Sequence, residues 1–342
     1  MGITIGAYIN EGGHVSGHMR DVEVHEGIDQ VLVTGSEQAR AIAQEMDKAR
    51  SVPDWDALMR EDDVRLILML TNNRDAGRLT LEAVDSGKRV YGEKPGAHTA
   101  DQMQAIVAAC RRTGGHFTPC YVRRMLAESQ ELRRLVQGGA IGELWSVQAS
   151  WITWSTALRG VDHWLFDDEM AGGGILYWLG CHWIDLLRFV TGRPIVAVSA
   201  MTATVDPRIS VEDVACLAVR LEGGAIGTIR CGYLRDPSRE GYEDYQLMTA
   251  YEGSHGAVSH FPHGEVTVRA LVRVAPSAQG ELRELRIEMP RTGGYAYPLL
   301  DEVVRATVEG RTPSVTEDDA LYVLRVAEAA YQAARTGRER EL

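Results

Sequence analysis

The sequence predicts an α/β protein of two domains, a parallel-sheet domain followed by an α+β domain with a mostly antiparallel sheet. The length of 342 residues is about twice that of a typical domain of roughly 150 residues. Apolar runs in the first 120 residues alternate with stretches at helical spacing, as in βαβ units. Later runs are rich in β-branched residues and include a hairpin signal. We therefore predict domains at 1–120 and 121–342, and we allow the last helix to pack back on the first domain.

The strands and helices of the first domain are predicted from the spacing of its apolar residues. The predicted strands are short apolar runs at 3–9, 30–33, 66–70 and 90–91. The third run is apolar at every position, which is typical of a strand buried on both faces. Apolar residues at helical spacing follow the second strand, and Thr99 with Gln102 forms a capping box that predicts another helix start. Strands joined in this way by helices form a parallel sheet of the nucleotide-binding type.

The second domain combines a few helices with strands. Helical stretches are predicted near 128–136 and at 175–190, the latter introduced by three consecutive glycines. Strands are predicted at 195–205, 214–221 and 225–231, and the Glu222-Gly223-Gly224 segment between the last two predicts a hairpin. A capping box at Thr316 and Asp319 begins a final helix that ends at Gly337.

Composition excludes several classes of protein. The formal net charge of −12 and the absence of a long basic run argue against a nucleic-acid partner. No apolar run approaches the roughly 18 residues of a membrane helix. The 5 cysteines are odd in number and lack metal-like spacing, so we expect reduced thiols in a cytoplasmic protein.

A weak phosphate-binding signature follows the first strand. A dinucleotide-binding turn needs glycines where the backbone approaches the pyrophosphate. The three fingerprint positions are here Asn10, Gly12 and Val15, with Gly13 beside them. Val15 is expected to crowd the contact between helix and strand and to resist a positive φ. From the residues alone, a turn that binds no phosphate is as good an interpretation.

The end of the second strand favours NADP over NAD. An acidic residue here would bind the ribose 2′-hydroxyl of NAD, but the segment reads Thr34-Gly35-Ser36. Ser36 and the nearby Arg40 both donate hydrogen bonds that suit a 2′-phosphate. Ser36 also suits the N-cap of the next helix. We predict NADP, with NAD as the alternative.

A second chemical signal is Glu93-Lys94-Pro95, which directly follows a predicted parallel strand. Ligands bind at the carboxyl ends of the strands in such sheets. A lysine there can donate to a substrate oxygen during hydride transfer.

Several motifs, in order along nearly the whole chain, resemble the glucose–fructose oxidoreductase and inositol dehydrogenase family, Gfo/Idh/MocA. These motifs are Thr71-Asn72-Asn73, the stretch 86–90, Glu93-Lys94-Pro95, Tyr121-x-Arg123, the stretch 138–143, the glycine run 172–174, Gly180-Cys181-His182-Trp183-Ile184-Asp185 and the stretch 334–337.

The resemblance implies a Rossmann domain, a second domain with a large open sheet that forms homodimers or homotetramers, and NAD(P)-dependent oxidation of a sugar, cyclitol or related hydroxyl. Lys94 matches the family's catalytic lysine, and His182 matches its general base and also contacts substrate. Asp185 lies three residues after His182, shares its helix face and is a candidate to orient it. The cofactor residues implied are completed by Thr71, Asn73, Glu93, Lys94 and Pro95, and the substrate residues by Tyr121 and Arg123.

The chain departs from the family at two functional sites. One is the phosphate-binding turn. The other is Trp178, which stands where the family has an aspartate four residues before the histidine. An indole offers one N–H donor and no acceptor. Three interpretations remain open: a redox enzyme for a substrate less polar than a free sugar, an enzyme with tightly bound NAD(P) that cleaves or epimerises glycosides, and a ligand-binding regulator without activity.

Aromatic residues mark the expected substrate region. Six of the 7 tryptophans fall between 145 and 183. Trp154, Trp164 and Trp178 are candidates for stacking on a sugar ring, whereas Trp145 and Trp151 are expected to pack the sheet, and His163 is a further candidate for ligand contact. His14 and His18 lack an acidic or cysteine ligand at metal-like spacing, so we predict no metal.

Overall fold

The computed structural model describes residues 2–233, 246–262, 269–276, 283–288 and 293–342. They form two compact units. The first comprises Met1–Val122, Glu169–Gly172 and Arg291–Leu324. The second comprises Arg123–Asp168, Gly173–Pro290 and Arg325–Leu342.

Strands and helices alternate in the first half of the chain. The strands are β1 (Ile3–Asn10), β2 (Ile28–Gly35), β3 (Ala49–Ser51), β4 (Leu66–Thr71), β5 (Arg89–Gly92), β6 (Phe117–Pro119), β7 (Leu144–Ile152), β8 (Ile195–Ala203), β9 (Val214–Leu221), β10 (Ile226–Gly232), β11 (Gln246–Gly253), β12 (Gly256–Pro262), β13 (Arg269–Pro276), β14 (Arg283–Glu288) and β15 (Arg340–Glu341). The helices are α1 (Val15–Val24), α2 (Glu37–Glu45), α3 (Trp55–Met59), α4 (Asn73–Asp85), α5 (Ala100–Thr113), α6 (Ala127–Gln137), α7 (Ser155–Arg159), α8 (Asp168–Ala171), α9 (Cys181–Thr191), α10 (Tyr297–Glu309) and α11 (Glu317–Thr336). Short 3₁₀ turns span Val122–Met125 and Trp164–Phe166, and a π-helical turn spans Leu176–Gly180.

The first unit is built on a six-stranded parallel sheet in the order β3-β2-β1-β4-β5-β6. All six residues of β4 are buried, as its uninterrupted apolar run predicts. Strand order reverses between β1 and β4, so their carboxyl ends form the switch point at which such sheets bind ligands. Asn10 and Thr71 face each other there. The predicted parallel sheet is confirmed.

Local signals set the boundaries of α5. The Thr99 Oγ1 accepts a hydrogen bond from the Gln102 amide at 3.2 Å. The Gln102 side chain accepts from the amide of His98 at 3.0 Å, one residue before the position expected in a capping box. Gly114, in the left-handed region at φ 75°, ends the helix.

The last part of the first unit comes from late in the chain. The Arg65 guanidinium donates to the Thr307 carbonyl at 2.5 Å, and the Thr118 hydroxyl donates to the Val315 carbonyl at 3.1 Å. The Phe117 amide donates to Glu317 at 3.2 Å. The first unit is therefore assembled from both ends of the sequence.

The second unit is built on a nine-stranded sheet in the order β14-β13-β12-β11-β7-β10-β9-β8-β15. Its strand pairs are antiparallel except β7 with β10, which are parallel. The predicted β9–β10 hairpin is confirmed, and Gly223 and Gly224 adopt φ of 86° and 92° at its turn, which non-glycine residues rarely do. The mostly antiparallel sheet expected here is therefore present.

The two faces of this sheet differ in burial. Along β9, Leu217 and Val219 are buried while the alternate residues are exposed. On the exposed face, Met201 is 81% and Ile226 is 55% exposed. Nine of the eleven residues of α9 are buried, and its Trp183 ring lies 5.5 Å from that of Trp151 on β7.

Among the described residues, no helix is both long and apolar enough to cross a bilayer.

Candidate active site

The turn after β1 approaches the sheet closely at Gly12. A Cβ on this residue would lie 2.9 Å from the Leu70 carbonyl oxygen and 2.8 Å from a methyl group of Val15. The glycine is therefore required by the close approach of the turn to the end of β4. Asn10 and Gly13 flank this turn, as the phosphate-binding prediction places them.

Val15 does not adopt the backbone conformation that the fingerprint suggested. It is buried as the first residue of α1, and among the described non-glycine residues a positive φ occurs at Glu11, at 59°. Val15 therefore does not adopt a positive φ, and the left-handed residue of this turn is Glu11. Val15 instead fills the space beside Gly12.

The end of β2 leaves a hydroxyl group available. Gly35 has φ of 125°, and a Cβ there would lie 2.1 Å from the Ile9 carbonyl oxygen, so glycine is required. The Ser36 side chain makes no capping hydrogen bond to α2. Within the described part of the chain, its buried Oγ has no hydrogen-bond partner. Arg40 is exposed one turn further along α2.

The end of β4 presents a second such hydroxyl group. Thr71 is 1% exposed, and its Oγ1 has no hydrogen-bond partner among the described residues. The neighbouring Asn72 caps α4 by accepting from the Asp75 amide at 3.0 Å. Asn73 is buried and donates to the Ala171 carbonyl at 2.8 Å, so its amide group also has a structural role within the first unit.

Glu93 and Lys94 follow β5 as buried charged residues. Lys94 is 2% exposed and is followed by Pro95 across a cis peptide bond. The Glu93 Oε1 lies 2.9 Å from the His14 Nδ1 and 3.4 Å from the His18 Nε2. The carboxylate next to the predicted catalytic lysine is thus held by two histidines of the α1 region.

This histidine pair belongs to a larger polar cluster. The His18 Nε2 lies 3.7 Å from the Cys120 Sγ, and the Tyr91 hydroxyl lies 3.2 Å from the same sulfur. Burial by itself would raise the pKa of Glu93, but the two histidines outweigh it and hold this pKa well below its usual value. Burial opposes the charged form of His18, yet Cys120 and Glu93 raise its pKa to about 10.

In this cluster, an acidic side chain and a cysteine sulfur lie next to His14 and His18, although neither stands near the two histidines in sequence. Across the described residues, however, no group of three or more His, Cys, Asp and Glu side chains is arranged to hold a metal ion. The structure brings Glu93 and Cys120 to the histidines from distant parts of the chain, a juxtaposition that spacing along the sequence could not indicate.

In the second unit, His182 lies in the first turn of α9, directly after the π-helical turn. It is 6% exposed, and its ring centre lies 5.9 Å from that of Trp151. Insertions of this kind in helices are frequent at functional sites.

Asp185, on the same helix, forms a buried ion pair with Arg124. The Arg124 Nε lies 2.9 Å from Oδ2 of the carboxylate, and the terminal nitrogen Nη2 lies 2.5 Å from Oδ1. Asp185 is 1% exposed. Its predicted role in orienting His182 stays a prediction, and Arg124 is a partner that sequence reasoning missed.

Arg123 is stacked on aromatic rings. Its guanidinium carbon lies 4.0 Å from the ring centre of Trp151 and 4.9 Å from that of Trp183. The arginine is buried, and burial together with Arg123 lowers the pKa of His260 to about 3. Tyr121, two residues earlier, belongs to the first unit and is completely buried.

The predicted aromatic substrate residues of the second unit form a packed group. Trp164 and Trp178 are both buried, with perpendicular rings 6.4 Å apart. The Arg159 guanidinium lies 5.2 Å from the Trp178 ring centre. Burial and Arg159 lower the pKa of His163 to about 4, so His163 is neutral near pH 7. Trp154 is partly exposed before α7.

Two family models match this chain. One describes an oxidoreductase family with an NAD-binding Rossmann fold and matches residues 4–121. The other describes the GFO/IDH/MocA C-terminal domain and matches residues 129–258. The chain belongs to the Gfo/Idh/MocA family of oxidoreductases. The resemblance predicted from its motifs is confirmed.

Individual relatives agree with this assignment. The chain is 26% identical over 315 residues to a 1,5-anhydro-D-fructose reductase of Ensifer adhaerens, covering 91% of this chain and 90% of that enzyme. It is also 26% identical to a D-apiose dehydrogenase of Paraburkholderia graminis, covering 98% and 89%. A solved aldose-aldose oxidoreductase from Caulobacter crescentus, complexed with glycerol, superposes with a TM-score of 0.82 at 25% identity and covers 100% of both chains.

The first unit of this Gfo/Idh/MocA protein is an NAD(P)-binding Rossmann domain, and its residues fit a dinucleotide. Gly12 permits close approach of the backbone at the end of β1. Ser36 and Thr71 offer buried hydroxyl groups at the carboxyl edge of the sheet that have no partner among the described residues. A bound dinucleotide has the phosphate and ribose oxygens that such groups require.

Proposed function

We propose that this protein is an NADP-dependent oxidoreductase that interconverts a hydroxyl and a carbonyl group on a sugar, cyclitol, glycoside or related small molecule. The buried Lys94 at the carboxyl edge of the Rossmann sheet is the observation that carries this proposal. The named relatives above act on sugars, which supports the substrate class.

The preference for NADP rests on Ser36 and Arg40. The Ser36 Oγ is buried without a hydrogen-bond partner among the described residues, and Arg40 is exposed on the following helix. Both would donate to a 2′-phosphate. No acidic residue that would select the 2′-hydroxyl of NAD stands at Thr34, Gly35 or Ser36, and Gly35 has a φ of 125°, which side chains rarely adopt.

Lys94 and His182 would divide the chemistry at the reacting oxygen. In the oxidation direction, the His182 imidazole accepts the hydroxyl proton as a general base. The Lys94 ammonium donates a hydrogen bond to the same oxygen and stabilises the negative charge that develops on it. Bound NADP⁺ would accept the hydride, and NADPH would supply it in the reverse direction.

The first test is titration of NADPH and of NADH into the purified protein, followed by energy transfer from tryptophan to the nicotinamide. Micromolar binding, tighter for NADPH, is expected. Failure of both cofactors to bind, with no nucleotide released on denaturation, would overturn the redox proposal in favour of a ligand-binding role.

The second test is Lys94→Met, assayed against aldoses, polyols and glycosides that the unmodified protein turns over. Turnover should fall at least about 1,000-fold, since removing one preorganised donor to a developing oxyanion costs about 10²–10³ and Lys94 also carries charge. The melting temperature should stay unchanged, because the fold is expected to remain intact. A variant with normal turnover would refute the role of Lys94.

We also propose a cytoplasmic homodimer or homotetramer. The 5 cysteines are free thiols, which suits a reducing compartment. The exposed face of the nine-stranded sheet carries Met201 and Ile226 and is the proposed contact between copies. Light scattering after size exclusion should give a multiple of the chain mass that falls to one chain in Ile226→Glu.

A further inference from the structure

The helix that carries His182 begins at a carboxylate from a distant strand connection. Glu212, two residues before β9, lies beside the glycine run that precedes the helix. Its Oε2 accepts a hydrogen bond from the Gly174 amide at 2.7 Å. Its Oε1 accepts from the Leu176 amide at 3.0 Å, and its own backbone carbonyl accepts from the Ile175 amide at 3.0 Å.

These three amides are donors that a helix leaves unsatisfied at its start. The first four N–H groups of a helix have no partner within the helix, and a nearby carboxylate satisfies them and interacts favourably with the positive end of the helix dipole. Glu212 meets both requirements although it lies far from the helix in sequence. The segment that it caps leads through the π-helical turn Leu176–Gly180 to His182.

A tyrosine holds the carboxylate from the other side. The Tyr331 hydroxyl of α11 donates to the Glu212 Oε1 at 2.8 Å. Its ring lies 5.5 Å from that of Tyr177, in the π-helical turn. Burial raises the pKa of Glu212, and the amide and hydroxyl donors oppose that rise.

Gly173 and Gly174 pack so closely against Tyr331 and Glu212 that a side chain at either glycine would clash. A Cβ on Gly173 would lie within 2.4 Å of the Tyr331 hydroxyl, and one on Gly174 would lie 2.0 Å from the Glu212 carbonyl oxygen. The backbone contact at Gly174 cannot be relieved by a side-chain rotation. Close approach of helix, carboxylate and tyrosine therefore accounts for glycine at both positions.

We propose that Glu212 is a positioning residue for catalysis, which together with Tyr331 fixes the start of the helix that presents His182. This inference rests on the proposed role of His182 as general base. Neither Glu212 nor Tyr331 is proposed to touch substrate or cofactor. Small displacements of a catalytic group can cost about 100-fold in rate, so a loosened helix start should lower kcat.

The test compares Glu212→Gln and Tyr331→Phe with Glu252→Gln. The control removes the charge of an exposed carboxylate in the same unit, which accepts from the Ser146 hydroxyl at 2.6 Å. In Glu212→Gln, kcat should fall about 10- to 100-fold, while the KM for the cofactor and the pH at which kcat is half-maximal stay unchanged. In Tyr331→Phe, kcat should fall about fivefold, as expected for the loss of one hydrogen bond. The control should keep wild-type values.

Amide hydrogen exchange gives a readout that does not depend on activity. The Gly174 and Leu176 amides, which donate to the Glu212 carboxylate, should exchange at least about tenfold faster in Glu212→Gln. The melting temperature and cofactor stoichiometry identify the folded fraction. Unchanged exchange in this variant would overturn the capping role. Faster exchange with unchanged kcat would overturn the positioning role.

The exchange result also separates this inference from the proposed function. If the unmodified protein has no turnover with any substrate, the proposed function fails, and the positioning role fails with it. Faster exchange would then still establish Glu212 as the structural cap of the helix.

Discussion

Replacing Asp185 by asparagine would leave the Arg124 guanidinium buried without its counter-charge. The two groups are bonded through two nitrogens at 2.5–3.1 Å, and their side chains are 10% and 1% exposed. Removing one partner of a buried ion pair costs about 3–5 kcal/mol. Asparagine retains one acceptor oxygen, so we expect about 3 kcal/mol.

The loss can be measured as a shift in melting temperature. A change of 1 kcal/mol moves the Tm of a domain of this size by about 2–4 °C, so Asp185→Asn should melt roughly 6–12 °C lower by circular dichroism. The double variant Arg124→Met, Asp185→Leu removes both charges, and buried pairs replaced by apolar residues often keep their stability. Its Tm should therefore return to within a few degrees of the wild-type value.

An unchanged Tm in Asp185→Asn would refute this reasoning, because it would show that the pair contributes nothing to stability. The double variant also tests the predicted orienting role of Asp185. If Asp185 orients His182, kcat of the double variant should stay about tenfold below the wild-type value although its Tm has recovered. Recovery of both kcat and Tm would assign Asp185 to the ion pair alone.

Three further changes test the cofactor and substrate sites. Arg40→Ala should raise the Kd for NADPH about tenfold, the value of one charge-assisted hydrogen bond, and leave the Kd for NADH unchanged; an equal effect on both in fluorescence titration would contradict the phosphate assignment. Trp178→Asp should have a kcat/KM for free polyols at least about tenfold higher than that of Trp178→Asn, since only aspartate restores a carboxylate acceptor. Equal kcat/KM values for the two variants would contradict a role for a carboxylate at this position. The raised pKa of His18 implies stability that is complete below about pH 6.5 and is lost as the pH rises towards about 10. The depressed pKa of Glu93 implies stability that is present above its ordinary pKa and is lost under more acidic conditions. His18→Gln should therefore lower the urea midpoint more at pH 6 than at pH 9, and an equal loss at both would contradict the ion pair.

Local and periodic features of the fold could be predicted from the sequence. The uninterrupted apolar run of β4 indicates a strand in the middle of a parallel sheet, and Thr99 with Gln102 indicates the start of α5. Each depends on residues close together in the chain, so neither requires knowledge of the tertiary structure. The motifs around Lys94 and His182 likewise identified the family.

Features that depend on distant pairing could not be predicted. β7 lies between β10 and β11, and no local pattern shows which later strands will flank it. The contact of His14 with Glu93 and that of Glu212 with the helix of His182 join residues far apart in sequence. Val15 shows a different limit, because the fingerprint assumes a fixed turn geometry and the chain here turns at Glu11.

The first unit is assembled from segments near both ends of the sequence, and this affects the order in which the protein folds. During synthesis the six strands emerge early, but the carbonyl groups of Thr307 and Val315 that Arg65 and Thr118 contact emerge only after most of the second unit. The nucleotide-binding unit therefore cannot reach its final packing until strands β7 to β14 of the nine-stranded sheet have been synthesised. A fragment ending at Val122 would lack α10 and expose the apolar surface that this helix covers, so truncation at the apparent domain boundary should yield an aggregating product and not an isolated cofactor-binding module.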